Sequence, residues 1–399
     1  MKKYILVTGG ELYNKGAQAM TFITVDQIAV RFPEYKVVLL SNQDVKRSEL
    51  EKANYKFEIM PFPSVGETLS LCTGILKKRY LARENGAYFK KYKDLFSNAA
   101  AMLDISGYAL GSNWGASTAR AYLRRIKLAK HFGVNVYLLP QSFGPFEFKG
   151  KGAFITNMLI KHYLKYPKCI MAREDEGKQL LEQKYGLSNV IKTPDLVLQA
   201  RGIDLQNVYV TVPEISPIDI ADNSVAVIPN SKNNKYGNED AVLQMYQRLI
   251  TTVLEKGKNV YLIYHAVEDL KICRKLKDMF FSNIPAVTVV ERELNCIEFE
   301  DVIDKFDFVV GSRYHSIVHS YKEAVPAVIL GWAIKYRELA KCFGQEKYCF
   351  DVKDADAHND IIMAVEAMCI GYKAESKKIS THLSSLQEKS IYDLIKIKN

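Results

Sequence analysis

Short apolar runs alternate with helix-length segments from the first residues of the chain, and this alternation restricts the fold more than any other feature. Tyr4 to Thr8, Lys36 to Leu40, Met102 to Ile105, Val136 to Leu139, Cys169 to Ala172 and Val190 to Thr193 read as buried strands. Their spacing is a βαβ rhythm, which builds a parallel sheet. The stretch from Arg201 to Asn223 is less regular, and the rhythm then restarts with Val225 to Ile228, Val260 to Tyr264, Val287 to Val290, Phe308 to Val310 and Ala327 to Leu330. Two doubly wound α/β domains facing a cleft follow from that restart, spanning 1–200 and 224–372 around a linker at 201–223. A helical tail at 373–399, marked by Leu383, Leu386, Ile391, Leu394 and Ile395, is expected to pack back across a domain. At 399 residues the chain is too long for one typical core, which agrees with two. Ligands of such sheets bind at the carboxyl edges of the strands, so both halves should contribute to one site.

Composition narrows the function classes. No uninterrupted apolar run of about 18 residues occurs, and Ile5-Leu6-Val7 is too short for a signal core. The chain therefore reads as cytoplasmic, without a membrane span. Seven cysteines are scattered with no C-x-x-C, which argues for reduced thiols and against a disulfide framework or structural zinc. The formal charge of +10 suits anionic small molecules or lipid headgroups. Aromatic-rich RNA-binding signatures are missing, so nucleic acid is not expected.

The most informative motif is Asp307-Phe308-Val309-Val310-Gly311-Ser312-Arg313-Tyr314-His315-Ser316. A buried strand turns into a helix here, with Ser312 expected as N-cap and Arg313 and His315 in the first turn. Backbone N–H groups and the positive helix end make such a junction an anion site. Lys335, after the strand ending at Leu330, is delivered to the same sheet edge as Arg313. Arg173 ends another strand, in Ala172-Arg173-Glu174-Asp175-Glu176, where the acids suit a solvated first helical turn. Pro194-Asp195 reads as a helix N-cap. His315 and His319 lie four apart, but no third ligand accompanies them, so no metal is expected.

Other strand ends offer polar contacts. Gly9-Gly10 through Met20 opens a helix, with Asn14, Lys15 and Gln18 either facing the cleft or merely following glycines that turn the chain; it is neither G-x-G-x-x-G nor a P-loop. Asp104-Ile105-Ser106-Gly107-Tyr108 suits sugar hydroxyls, or Asp104 caps a turn. Gln141 and Ser142 lie in a stiff loop, Leu139 to Phe146, that is equally open to a structural reading. The basic stretch Lys77, Lys78, Arg79, Arg83, Lys90, Lys91 and Lys93, with Tyr80, Leu81, Tyr88 and Phe89 between, fits a solvated helix or an anionic membrane face.

Seven segments in order, Asn14 to Met20, Asp104 to Gly107, Pro140 to Pro145, Ala172 to Glu174, Pro194-Asp195, Gly311 to His315 and Gly331 to Tyr336, resemble the polysaccharide pyruvyl transferase family. The resemblance implies a two-Rossmann, GT-B-like fold, phosphoenolpyruvate as donor and substrate with no cofactor, and a pyruvate ketal installed on a sugar of a bacterial surface polysaccharide or its lipid-diphosphate-linked precursor. It implies catalytic roles for Arg173, Arg313, His315 and Lys335. Ser312, Gln141 and Ser142 join Arg173, Arg313 and Lys335 as expected donor contacts, with phosphoenolpyruvate on the C-terminal domain. Asn14, Gln18, Asp104 and Tyr108 are expected on the acceptor side, in the N-terminal domain. The first loop departs from the family, since many relatives carry an acidic N-x-G-D-E where this chain has Asn14-Lys15-Gly16-Ala17-Gln18. Peripheral contact with the inner membrane surface is left open by the basic stretch.

Two other functions stand beside this one. A nucleotide-sugar glycosyltransferase shares the architecture, and Glu338 and Glu346 have an E-x7-E spacing, though Gly344 interrupts it and the cluster of Arg313, His315 and Lys335 goes unexplained. A non-catalytic sugar- or anion-binding protein needs the cationic cluster for affinity only.

Overall fold

A computed structural model describes residues 2–75, 86–231, 238–331, 333–352, 354 and 357–397. Among these, thirteen strands form two wholly parallel sheets. The first contains β1 (Tyr4–Thr8), β2 (Lys36–Leu40), β3 (Glu58–Met60), β4 (Ala99–Asp104), β5 (Asn135–Gln141), β6 (Cys169–Ala172) and β7 (Val190–Lys192). Their order is β3-β2-β1-β4-β5-β6-β7. The second contains β8 (Ser224–Ile228), β9 (Asn259–Leu262), β10 (Val287–Val289), β11 (Phe308–Gly311), β12 (Ala327–Leu330) and β13 (Cys349–Phe350), in the order β10-β9-β8-β11-β12-β13. Each sheet reverses its winding once, between β1 and β4 and between β8 and β11. The ends of these strands, Thr8 opposite Asp104 and Ile228 opposite Gly311, are where doubly wound sheets open a crevice.

The alternation of side chains decides which surface each strand gives away. Ile5 and Val7 face an inner core, whereas Leu6 faces an outer one together with Val38, Met102 and Val136. Ala226 and Ile228 likewise point inward, and Val225 and Val227 outward. The inner core is continuous across both domains. It runs through the helices Lys15–Arg31, Leu196–Gln199, Cys296–Ile303 and Tyr314–Lys322, which put Ile23, Val197, Phe299 and Ile317 in one cluster. Fully burying a side chain such as Ile317 stabilises by about 1.5–3 kcal/mol, so this seam holds the two sheets together.

The stretch after residue 200 also packs. Val208 and Tyr209 are buried in the inner core, and Tyr209 bridges antiparallel to Tyr55. The helix Ala357–Leu386 runs unbroken through the expected boundary at 372/373. Beyond it the chain returns to the first domain, where Tyr392 Oη meets Thr24 Oγ1 at 2.9 Å and Lys396 bonds Tyr137 Oη in both directions at 3.0 Å.

All seven cysteines are free, and among the described residues no helix is long and apolar enough to cross a membrane. Lys77, Lys78, Arg79, Tyr80, Leu81 and Arg83 lie outside the described residues. The rest of the basic stretch sits on the helix Gly86–Ser97. Its aromatic side is spent on the protein itself, with Phe89 and Tyr92 buried and Tyr88 packed against the outer core. Lys90, Lys91 and Lys93 stay exposed, and Lys91 pairs with Glu58.

Candidate active site

The cleft between the sheets is closed around Arg173, at the end of β6. Arg173 Nη2 donates to the Gly107 carbonyl at 2.6 Å and to Ser142 Oγ at 3.0 Å, and Nη1 pairs with Asp195. The guanidinium lies over the Tyr314 ring, 4.8 Å from its centre, so a residue of the first domain grips the first helical turn of the second. Burial disfavours the charge, but Tyr314, Asp195 and Glu174 more than offset this and hold Arg173 protonated.

Asp195 is the N-cap the sequence indicated, accepting from the Val197 N–H at 3.0 Å. Its other oxygen has a second job. Oδ2 faces both Arg173 and His315, whose Nε2 stands 3.7 Å away. Burial pushes the Asp195 carboxyl up, yet Arg173, His315 and the Val197 N–H outweigh it and hold the group below the usual carboxylate value.

His315 keeps 16% of its side chain exposed, and its buried Nε2 has no hydrogen-bond partner. Burial lowers its pKa to about 3, with Asp195 working against and Arg173, His319 and Lys335 working with that shift, so the ring is neutral near pH 7. The imidazole rests against the start of the helix Lys15–Arg31: a Cβ on Gly16 would lie 2.2 Å from His315 Cγ. Glycine is required there by close approach.

Lys335 sits among three tyrosines, its Nζ 5.0, 5.6 and 5.8 Å from the ring centres of Tyr314, Tyr336 and Tyr108. It lines a cavity of about 300 Å³ together with Tyr108, Ser142 and Glu174. Tyr108 Oη donates to the Gly144 carbonyl at 2.7 Å and accepts from Asn113 at 3.0 Å, which fixes the ring in the wall. Thus Arg173, His315, Lys335, Ser142 and Tyr108 share one region.

The remaining expected residues have other partners. Arg313 Nε and Nη2 bond the two oxygens of Asp269 at 2.7 and 2.8 Å, and Nη2 also meets Glu268 at 2.9 Å. Its charge is balanced within its own domain. Arg313, not Ser312, occupies the N-cap position of the helix Tyr314–Lys322, and Ser312 Oγ instead meets Tyr246 Oη at 2.8 Å. Asn14 spends its side chain capping the Gly16 and Ala17 N–H groups. Gln18 Oε1 accepts from the Cys296 N–H at 2.8 Å, a strut between domains. Lys15 donates to the His265 carbonyl at 3.0 Å, and burial lowers its pKa to about 8.

Asp104 and Gln141 lie beneath the site. Asp104 accepts from Thr8 Oγ1 at 2.7 Å and Arg125 at 2.8 Å, and Gln141 Nε2 reaches it at 3.3 Å. Both side chains are buried in the first domain, where they brace the end of β4.

Glu300 explains the second histidine. His319 Nδ1 pairs with Glu300 at 2.8 Å, and Lys322 with the same carboxylate at 2.6 Å. Burial raises the Glu300 pKa, but His319 and Lys322 outweigh it and bring it to about 2. Among the described residues no three His, Cys, Asp or Glu side chains group so as to hold a metal ion. Glu338 belongs to the helix Ile334–Cys342, whereas Glu346 begins a separate 3-10 turn beyond Gly344. Glu174 and Tyr314 join the site beside Arg173 and Arg313, inside the Ala172 to Glu174 and Gly311 to His315 segments.

Known proteins place this arrangement. Among curated proteins no sequence matches the chain. In three dimensions it is similar to the UDP-GlcNAc 2-epimerase of Methanocaldococcus jannaschii, with a TM-score of 0.55, 14% identity and 93% of both chains covered. It is also similar to the alpha,alpha-trehalose 6-phosphate synthase of Burkholderia multivorans, with a TM-score of 0.52, 9% identity, and 97% of this chain and 95% of that one covered. Likeness at such identity establishes the fold, the GT-B arrangement of two facing Rossmann-like domains. The sequence profile described as polysaccharide pyruvyl transferase matches residues 14–333, from the cap of the first helix to the loop after β12, and the chain accordingly belongs to the polysaccharide pyruvyl transferase family.

Proposed function

We propose that this protein moves pyruvate from phosphoenolpyruvate to two hydroxyls of a sugar in a bacterial surface polysaccharide, or in its lipid-linked precursor at the cytoplasmic membrane face, forming a ketal and releasing phosphate. The observation that carries this reading is the cationic, histidine-bearing cluster of Arg173, Lys335 and His315 beside a cavity of about 300 Å³. Phosphoenolpyruvate brings about three negative charges near pH 7. Arg173 and Lys335 meet part of that charge directly. Arg313 joins them by exchanging Glu268, whose side chain is 56% exposed, for the incoming anion while Asp269 keeps the guanidinium in place.

His315 is the proton donor to the methylene carbon. A trianion beside it lifts its pKa from the low value set by burial, because negative charge favours the imidazolium. As C3 takes the proton, C2 becomes oxocarbenium-like and a sugar hydroxyl adds to it. The C2–O bond to phosphate breaks and the second hydroxyl closes the ring; of the two hydroxyl protons one leaves on phosphate and the other restores the one His315 gave to C3. Such acid catalysis contributes on the order of 10² to 10⁴ in rate.

The nucleotide-sugar alternative gains nothing from Glu338 and Glu346, which stand on separate elements. The deciding experiment incubates the protein with phosphoenolpyruvate and a panel of methyl hexopyranosides, measuring phosphate release and the mass of the glycoside. Gain of one ketal-linked pyruvate with matching phosphate supports the reading. Neither product, with thermal stabilisation by a nucleotide sugar instead, would replace it by the glycosyltransferase.

A further inference from the structure

His315 does not line the 300 Å³ cavity, so the group that activates a sugar hydroxyl must be sought in the cavity wall. That volume lies at the small end of the range for bound small molecules and fits one pyranose ring. Its walls carry the Tyr108 ring and hydroxyl, Ser142, Lys335 and two carboxylates, Glu174 and Glu176. Glu176 is exposed. Glu174 is only 6% exposed, although it follows Arg173 at a helix start where an acid is ordinarily solvated.

The position of Glu174 is fixed from behind. Ser142 Oγ donates to its Oε1 at 2.7 Å, and that same hydroxyl accepts from Arg173 Nη2 at 3.0 Å. Contacts therefore run from Glu174 through Ser142, Arg173 and Asp195 to His315, linking the cavity to the histidine. Glu174 also borders the narrow space shared by Arg173, Tyr314, Lys335 and Glu338. It is thus common to both spaces.

We infer that Glu174 is the general base for the acceptor hydroxyl, and that the cavity takes an uncharged pyranose presenting two neighbouring hydroxyls. This assignment rests on the proposed transfer reaction. As the hydroxyl attacks, its O–H bond breaks and the proton passes to Glu174, while the oxygen pair forms the bond to C2. When phosphate departs with the C2–O pair, Glu174 returns the proton to it. Two carboxylates against one lysine in the cavity disfavour an acceptor that is itself acidic.

The test is Glu174→Gln in the full chain, using the methyl hexopyranoside that gains pyruvate with the wild type. Glutamine keeps the volume and still accepts the Ser142 hydroxyl, but it cannot take a proton. The expected result is a kcat lowered by on the order of 10² to 10⁴, with calorimetric phosphoenolpyruvate binding retained by the folded variant. Glu174→Asp, which keeps a carboxylate one methylene further back, should recover part of the rate. The matching methyl hexuronoside should be a poorer acceptor for the wild type. A Glu174→Gln enzyme with near-normal kcat overturns the assignment and leaves the transfer reaction standing. A wild type that moves no pyruvate overturns both.

Discussion

Asp195→Asn isolates the ion pair at the centre of the cleft. Asparagine is as good an N-cap as aspartate, so the contact with the Val197 N–H survives and only the charge is removed. The side chains of Arg173 and Asp195 are 3% and 0% exposed, which leaves the guanidinium buried without its counter-ion. Breaking such a pair from one side costs about 3–5 kcal/mol. At about 2–4 °C per kcal/mol for a domain of this size, the melting midpoint should fall by roughly 6–20 °C. Calorimetry at pH 7 measures this, and Arg173→Gln combined with Asp195→Asn should be less damaging than the sum of the two. The Asp195 pKa is held below the usual carboxylate value, so its contribution is present above that range and disappears as pH falls through the folded-state value. The gap between wild type and variant should therefore close in acid. A midpoint within about 2 °C of wild type at pH 7 would refute the claim that Asp195 is needed to offset the buried Arg173 charge.

Burial gives His315 a folded pKa of about 3 against about 6.5 unfolded, so between those values the unfolded chain alone takes up a proton. Stability should fall by about 1.4 kcal/mol per pH unit on acidification through this window, and His315→Gln should flatten that slope; denaturant titrations at several pH values read it. The same variant should bind phosphoenolpyruvate yet lose kcat, whereas a raised KM with normal kcat would reduce His315 to a phosphate contact. Gly16→Ala forces a methyl group to 2.2 Å from His315 Cγ, which should cost about 1–3 kcal/mol by overpacking and slow transfer; unchanged melting and kcat would contradict it. EDTA should leave transfer intact, because cationic side chains supply the charge a divalent ion would, and loss restored by one specific metal would contradict this.

Periodicity carried most of the fold. Buried parallel strands are nearly continuous apolar runs, and eleven of the thirteen coincide with the runs read from the sequence. β3 and β13 are not among those runs. β13 exists through its register with Ile329 and Leu330. The helix Ala357–Leu386 runs through 372/373, and nothing local distinguishes a helix crossing between domains from one that starts anew.

The site divides along the same line. Arg173, His315 and Lys335 were legible because a side chain just past the end of a parallel strand must stand at the carboxyl edge whatever else the chain does. Their partners were not. Asp269 lies 44 residues before Arg313 on another element, and Gln18 meets Cys296 278 residues away. Glu174 looked like a solvated helical acid until its burial beside Ser142 was seen. Sequence fixes what a few neighbouring residues can impose on the backbone, namely strand, turn and strand end. Which charge each cation faces, and which acid is sealed into the cavity wall, was decided by how the two sheets dock, because those contacts join residues with no local bearing on one another.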